Sequence, residues 1–457
     1  MSRKSEIIAA IDICTAKTVV VIGRKDDQGT VEIISYSKVN SQGVKRGVIY
    51  NIEEAVSSVR EALTKARRNY NGPISKVFVG INGQHLYSES VDGVKELDNA
   101  RYIRKEDVAE LIKGAQSVEL HPGETIYDVV PQYYRVNNED SILNPVGVYG
   151  NDVFGEFKLI LGPESYAKNT CFCIEKAGLN LSDISISPIA AGDAVLTDDE
   201  KEAGVVLVDF GSGITNVSVY YDKILRHVGI IPFGGEVITR DIKEGCSILL
   251  RQAEALKVQY GSALGDNAPD DKVVTIPGMP GWEPKEISFK SLAYIIQARI
   301  EEIIESCYFH IDKSGFADHL GAGIVITGGT AQLHDLMQLI RLKTGFDVRL
   351  GKPSINIKGQ LPKGIDSPEF STALGIFIQG LKQAEWEPEI IVAKKEEEQI
   401  SIKMIEPEIE MEKKTERKKP KVKDVPKKEK KGGILAGKMK TLFSDFFTEP
   451  DQEITNN

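Results

Sequence analysis

The sequence predicts an α/β protein built from two similar lobes that face each other across a cleft. Near the start of the chain, apolar and β-branched runs at residues 7–13 and 18–22 indicate a strand, a tight turn and a second strand. The same layout begins again at residue 204, and predicted helices follow both copies. Two α/β halves arranged in this way leave a crevice of the kind in which small ligands bind.

The remaining elements are predicted from their periodicity and residue types. In the first copy, residues 55–68 have helical spacing and residues 77–81 favour another strand. The second copy has predicted strands at 204–209, 215–221, 224–231 and 323–326, and predicted helices at 236–262 and 289–314.

Composition narrows the function classes. Five scattered cysteines and six dispersed histidines show no zinc-type spacing, so we expect no protein-bound transition metal. The net charge is −10, but residues 413–431 alone carry +8, from eleven basic and three acidic side chains. The rest of the chain is therefore strongly acidic, which argues against nucleic acid as the main ligand. We expect neither a transmembrane helix nor a signal peptide.

A glycine-rich turn between two predicted strands is the strongest indication of a ligand site. It contains Asp209, Gly211, Ser212, Gly213 and Thr215. Glycines at this spacing let backbone N–H groups approach phosphate oxygens without an intervening side chain. An aspartate at the end of the preceding strand is suited to holding Mg²⁺ through water. Taken alone, this loop could also be interpreted as a plain β-turn with no ligand.

Two further segments extend the predicted phosphate and nucleoside site. The first copy offers Asp12, a second candidate for the Mg²⁺ water shell, with Thr15 and Lys17 for phosphate. After the strand at 323–326, Gly328 and Gly329 leave room for a flat purine or ribose against the backbone. Each segment is common alone, and their order along the chain favours a nucleotide site.

These loops resemble the phosphate-1, phosphate-2 and adenosine motifs of the actin, sugar-kinase and heat-shock-chaperone superfamily, over roughly residues 6–382. The resemblance implies an actin-like, ribonuclease-H-like fold that binds ATP and Mg²⁺. It also implies nucleotide-binding roles for Gly234, Gly235 and Glu236 in the turn after the phosphate-2 hairpin. Glu254 and Lys257 resemble a helical pair that contacts ribose and adenine; their alternative is an ordinary surface pair.

Within this superfamily the chain most resembles the FtsA family of bacterial cell division proteins. The resemblance is carried by segments 40–49, 79–83, 187–200, 253–261 and 326–333. It implies the following division: subdomain 1A at 1–83, 163–202 and 353–390; subdomain 1C at 84–162; subdomain 2A at 203–240 and 315–352; and subdomain 2B at 241–314.

Two departures from the superfamily pattern affect the expected chemistry. Cys14 stands where members usually carry glycine, which alters the expected phosphate contacts of the first loop. Near the connecting helix, Ser187, Pro188 and Gly192 replace the Gln or Glu that orients the attacking water, and Asp193 follows the wrong spacing. Positioning of that water contributes about 10²–10⁴ in rate. We therefore expect ATP binding with weak or absent hydrolysis, and we assign no catalytic residue beyond Asp209 as a Mg²⁺-water contact.

The C-terminal part has a different composition. Residues 391–431 are rich in Glu, Lys and Pro, which predicts a disordered linker. Residues 432–449 predict a short amphipathic helix, followed by a tail at 450–457. Its apolar face contains Leu435, Met439, Leu442, Phe443, Phe446 and Phe447. We expect this face to bind an anionic membrane surface, helped by the basic run; docking onto the protein's own core is the alternative.

The family resemblance also implies partners and a location. It implies self-assembly into filaments, binding of the FtsZ C-terminal tail at subdomain 2B, and recruitment of later division proteins at the cytoplasmic face of the inner membrane. Arg299 and Glu302 match the FtsZ-binding pattern; a solvated helix face is the alternative. A PilM-like pilus-assembly protein and a small-molecule kinase of the same fold remain competing interpretations. Neither explains the charged linker and terminal helix.

Overall fold

A computed structural model describes residues 6–385 of the chain, except residues 27, 28, 138, 140, 279, 358 and 360. The described residues belong to one compact unit. The predicted linker, the predicted amphipathic helix and the six residues predicted to bind a membrane lie outside the described residues. Among the helices of the described part, none has the length and hydropathy needed to cross a membrane.

The described part contains seventeen strands and ten α-helices. The strands are β1 (Ile8–Ile13), β2 (Lys17–Lys25), β3 (Val31–Asn40), β4 (Val44–Lys45), β5 (Val48–Ile49), β6 (Lys76–Ile81), β7 (Tyr87–Tyr102), β8 (Glu124–Val136), β9 (Tyr149–Pro163), β10 (Leu181–Ile186), β11 (Val205–Phe210), β12 (Thr215–Tyr221), β13 (Ile224–Ile231), β14 (Val273–Ile276), β15 (Lys285–Ser288), β16 (Ile324–Thr327) and β17 (Val348–Leu350). The helices are α1 (Ile52–Arg67), α2 (Lys105–Ala115), α3 (Glu164–Lys176), α4 (Ser187–Val195), α5 (Asp198–Ala203), α6 (Gly235–Cys246), α7 (Leu250–Tyr260), α8 (Phe289–Lys313), α9 (Leu336–Thr344) and α10 (Ser371–Glu385).

Two five-stranded sheets with the same topology form the two lobes. The first sheet has the order β10-β6-β1-β2-β3, and the second has the order β17-β16-β11-β12-β13 when taken in the same direction. In each sheet the three consecutive strands are antiparallel, and the two later strands join in parallel. The central strands β1 and β11 are buried along their whole length, as expected for strands covered on both faces of the sheet. This repetition confirms the two-lobed α/β prediction.

An inserted three-stranded sheet, β7-β9-β8, packs with α2 around a small core of its own. The insertion leaves the first lobe after β6 and contacts β13, the edge strand of the second lobe. Val228 N–H donates to Ser88 Oγ at 2.9 Å, and Gln132 Nε2 donates to the Leu225 carbonyl at 3.0 Å. The insertion therefore connects the two lobes away from the cleft.

The single helix predicted for residues 236–262 is wrong, because the chain forms two helices, α6 and α7. Ser247 lies between them with φ 49°, in the left-handed region that ends helices. The N–H groups of Ser247 and Ile248 donate to the Glu244 and Lys243 carbonyls, which completes the end of α6. After this break, α7 places Glu254 and Lys257 on the wall of the cleft.

Candidate functional site

A cavity of about 620 Å³ lies where the turns after β1, β11 and β16 meet. Its volume falls in the range of small-molecule and cofactor sites. Most of the predicted site residues line it: Asp12, Thr15, Lys17, Asp209, Gly211, Ser212, Gly213, Gly235, Glu254, Lys257, Gly328 and Gly329. The fold thus brings together residues that are more than 300 positions apart in the sequence.

The turn after β1 is closed by its own side chains. Cys14 N–H donates to the Lys17 carbonyl at 2.9 Å, which tightens the turn. The Cys14 thiol donates to Asp12 Oδ2 at 3.0 Å, and Thr15 Oγ1 accepts the Gly47 N–H at 3.0 Å. Cys14 therefore directs its side chain back to the neighbouring carboxylate.

The turn after β11 lies directly against the first turn. A Cβ added at Gly213 would come within 2.5 Å of Thr15 Oγ1, so only glycine allows the two turns to approach this closely. The shared wall is suited to polyphosphate because small residues leave backbone groups accessible from the cavity.

Three predicted residues do not line the cavity and instead hold the second turn from behind. Glu236 N–H donates to the Ser212 carbonyl at 2.8 Å, and Thr215 Oγ1 donates to the Phe233 carbonyl at 2.9 Å. Gly234 packs so tightly that an added Cβ would meet the Ser212 carbonyl at 2.6 Å. These contacts indicate a supporting role for Thr215, Gly234 and Glu236.

Two buried carboxylates lie on the floor of the cavity. Burial raises the pKa of Asp12 to about 6; the Cys14 thiol and the Lys17 ammonium oppose this shift, while Asp209 adds to it. Burial also raises the pKa of Asp209, against hydrogen bonds from Asn216 Nδ2 and Thr372 Oγ1 at 3.2 and 3.4 Å. Carboxylate oxygens are ligands suited to a hydrated divalent cation such as Mg²⁺.

On the opposite wall, Lys257 is buried and fixed by three acceptors. Its Nζ lies 2.8 Å from the Gly235 carbonyl, 2.7 Å from Thr239 Oγ1 and 2.7 Å from Glu254 Oε2. This network links α7 to the start of α6. It places a cation and a carboxylate on the wall of the cavity.

Position 328 requires glycine for two reasons. Its φ is +92°, and an added Cβ would lie 2.4 Å from both Asp209 Oδ1 and the Phe210 carbonyl. The turn after β16 therefore lies directly on the end of β11. Thr330 strengthens this contact, because its Oγ1 donates to the Gly211 carbonyl at 2.9 Å.

Sequence analysis missed several residues that line the cavity, among them Lys38, Gly47, Asn82, Asn216, Thr330, Glu369 and Thr372. Asn216 was detectable, because asparagine is depleted in strands and here directly follows Thr215 in β12. Glu369 and Lys38 had no local pattern to mark them. Glu369 accepts hydrogen bonds from Lys17 at 3.2 Å and from Lys38 at 2.9 Å.

No residue of the connecting helix α4 lines the cavity, and this includes Ser187 and Asp193. The Asp193 carboxylate is occupied by Lys201 Nζ and Gln379 Nε2, each at 2.8 Å.

Arg299 and Glu302 lie together on α8, away from the cavity. Arg299 Nε donates to Asp241 Oδ2 at 2.6 Å, which joins α8 to α6, and its Nη1 pairs with Glu302. The Arg299 side chain is 20% exposed and Glu302 is 60% exposed.

Comparison with known proteins gives consistent results. The family model "Cell division protein FtsA" matches residues 206–375, and the model "SHS2 domain inserted in FTSA" matches residues 83–161. "Cell division protein FtsA" of Neisseria meningitidis is 32% identical over 377 residues, covering 82% of this chain and 90% of that protein. The Bacillus subtilis protein of the same name is 33% identical over 375 residues, covering 82% and 83%.

Solved structures show the same fold at low sequence identity. A PilM-PilN type IV pilus biogenesis complex is 14% identical to this chain, with a TM-score of 0.58 and coverage of 82% of this chain and 98% of that chain. MreB5 of Spiroplasma citri bound to ADP is 12% identical, with a TM-score of 0.51 and coverage of 84% and 99%. These neighbours confirm the actin-like fold predicted from the sequence.

Proposed function

Since this chain belongs to the FtsA family of cell division proteins, we propose that it is an ATP-binding membrane tether of the bacterial division machinery. In this proposal it polymerises on the cytoplasmic face of the inner membrane at the septum. It binds the C-terminal tail of FtsZ through subdomain 2B, near Arg299 and Glu302, and recruits later division proteins. The subdomain boundaries given above belong to the same proposal.

The observation that carries the ATP proposal is the cavity in which the three turns meet. Gly211 and Gly213 allow phosphate oxygens to approach backbone N–H groups, with Thr15 and Lys17 beside them. Asp12 and Asp209 are the candidates for the Mg²⁺ water shell, while Glu254, Lys257 and Gly329 are candidates for the nucleoside. An MreB neighbour of the same fold is described as bound to ADP.

We propose that the bound ATP is hydrolysed slowly or not at all. No Gln or Glu from α4 lines the cavity, and the Asp193 carboxylate is occupied by Lys201 and Gln379. A nucleotide that is bound but not turned over acts as a ligand that selects one arrangement of the two lobes.

The tether proposal rests on the sequence of residues 432–449 and the basic run before it. One short amphipathic helix binds a membrane reversibly. Several helices presented by one polymer bind by avidity, which strengthens attachment by about 10²-fold or more. Polymerisation and membrane binding therefore support each other in this proposal.

Co-sedimentation with anionic vesicles in the presence of Mg²⁺-ATP tests the tether. We expect the intact chain to pellet with the vesicles and to carry FtsZ with it. A chain truncated after Lys431 and a Phe443→Glu, Phe446→Glu variant should both stay in solution, because each loses the apolar face.

A matched control places the same two charges on the predicted polar face, as Thr441→Glu and Ser444→Glu, and should lose much less binding. If all four chains remain in solution, the tether proposal is rejected. If the intact chain pellets but FtsZ does not, the FtsZ part fails alone. Equilibrium dialysis with ATP tests the nucleotide part, which absence of binding at millimolar ATP would reject.

A further inference from the structure

Three charged side chains form a cluster at the edge of the cavity. Glu369, in the turn before α10, lies between Lys17 at the start of β2 and Lys38 on β3. Its Oε2 is 3.2 Å from Lys17 Nζ and 2.9 Å from Lys38 Nζ, and its Oε1 is 3.0 Å from Lys38 Nζ. Lys17 also donates to the Glu369 carbonyl. All three residues line the cavity.

The cluster is partly shielded from water. The side chains of Lys17, Glu369 and Lys38 are 16%, 23% and 46% exposed. Burial alone would raise the pKa of Glu369, but the two lysines outweigh burial and hold this pKa below its usual range. Glu369 is therefore a carboxylate anion at neutral pH, and two ammonium groups share its single negative charge.

Beyond the ATP binding proposed above, on which this step rests, we propose that Lys38 is a second phosphate-binding lysine and that Glu369 regulates both lysines. Carboxylate oxygens at 2.9–3.2 Å from the ammonium groups occupy the kind of position that phosphate oxygens take. Glu369 thus orients the lysines and also opposes the negative charge of a polyphosphate. It weakens binding in proportion to the charge of the ligand.

The register of the sheet supports a shared role for the two lysines. Lys17 pairs with Asn40, and Lys38 lies two residues from Asn40 on β3. Residues two apart point to the same face of a strand, so Lys17 and Lys38 are diagonal neighbours on one face. Both ammonium groups also lie near the Phe370 ring, at 5.3 and 5.6 Å from its centroid.

The experiment measures the affinities of adenosine, AMP, ADP and ATP for the intact chain and for Glu369→Gln and Lys38→Met. Removing the Glu369 charge should leave adenosine binding unchanged and tighten ATP roughly tenfold, with AMP and ADP between. Lys38→Met should weaken ATP by a similar factor and make its affinity less dependent on salt. When Glu369→Gln is combined with Lys38→Met, the gain in ATP affinity from Glu369→Gln should be smaller, because one of the two lysines paired with Glu369 is absent.

Glu32→Gln is the matched control, because Glu32 pairs with Arg24 at 2.7 Å in the same sheet but does not line the cavity. It should change no affinity. Weaker ATP binding in Glu369→Gln, or equal shifts for adenosine and ATP, would overturn the proposal. Melting temperatures identify any variant whose fold is disturbed.

Inorganic triphosphate separates this proposal from the proposed function. If the intact chain binds triphosphate but not ATP, and Glu369→Gln binds triphosphate more tightly, the lysine cluster stands while the ATP proposal fails. If ATP binds, but no variant changes how affinity depends on the number of phosphates in the ligand, the cluster proposal fails and the ATP proposal stands. If neither anion binds any chain, both proposals are rejected.

Discussion

The turn after β1 and the turn after β11 occupy equivalent places in the two lobes, yet they are stabilised differently. Strand pairing ends at Ile13 with Thr18 and at Phe210 with Thr215, so each turn has four residues. Both turns contain the same backbone hydrogen bond, from Cys14 to Lys17 at 2.9 Å and from Gly211 to Ile214 at 3.1 Å. Their residues therefore correspond one to one, and Cys14 corresponds to Gly211.

The difference lies in what surrounds each turn. In the first turn, side chains complete the structure, through the Cys14 thiol on Asp12 and the Thr15 hydroxyl on Gly47 N–H. The second turn is enclosed mainly by neighbouring backbone, because Gly234 lies against its carbonyls and Gly328 lies against the end of β11 just before it. The Thr330 hydroxyl adds one side-chain hydrogen bond, to the Gly211 carbonyl. The first turn should therefore tolerate small side-chain changes, whereas the second should not tolerate an added carbon.

The largest expected effect is that of Gly328→Ala, which adds a Cβ between the turn after β16 and the end of β11. We expect a loss of about 3 kcal/mol or more in the free energy of unfolding, from left-handed strain and overpacking. We also expect loss of ATP binding, because the collision involves Asp209 Oδ1 and the Phe210 carbonyl at 2.4 Å. Urea unfolding and ATP titration measure both effects.

Gly345→Ala is the control for this prediction. Gly345 also has a positive φ, +76°, but an added Cβ meets no atom within 4 Å. This variant should lose only the strain, about 1–2 kcal/mol, and should keep ATP binding. If Gly328→Ala and Gly345→Ala lose the same free energy of unfolding, close packing against β11 is not the reason that position 328 requires glycine.

The second prediction concerns Asp12, whose pKa burial raises to about 6, above the value near 3.9 in unfolded chains. Between these values the folded chain binds more protons, so its stability falls as pH rises from about 4 to 6 and stays lower above that. Asp12→Asn should therefore stabilise the protein by about 3 kcal/mol at pH 7.5 and by almost nothing at pH 4. ATP binding in the presence of Mg²⁺ should weaken at least tenfold.

Urea unfolding at the two pH values checks this dependence. Asp92→Asn is the control, because Asp92 lies exposed on β7; it should change stability little at either pH. If Asp12→Asn raises the free energy of unfolding by the same amount at pH 4 and pH 7.5, ionisation of Asp12 does not lower the stability of the protein.

Sequence reasoning located both turns because their requirements are local. Asp12 and Asp209 end apolar strands, and glycines mark the second turn within a few residues. It did not find Glu369, because the partners of that side chain are Lys17 and Lys38, more than 300 positions earlier. The break at Ser247 was also missed, because sequence reasoning placed Gly245, two residues before it, inside one continuous helix and both flanking segments favour helix.

The smallest expected effect comes from Cys14, the side chain that distinguishes the first turn from the second. Its thiol hydrogen bond lowers the pKa of Asp12 and so opposes burial. Cys14→Ala removes this donor and should move the pH midpoint of Mg²⁺-dependent ATP binding upward, with affinity at pH 6 falling about twofold to fivefold. Cys14→Ser keeps a donor and should restore the midpoint. If Cys14→Ala and Cys14→Ser give the same pH profile of ATP binding, the Cys14 thiol contributes only volume. The two turns then differ in packing and not in the ionisation of Asp12 and Asp209.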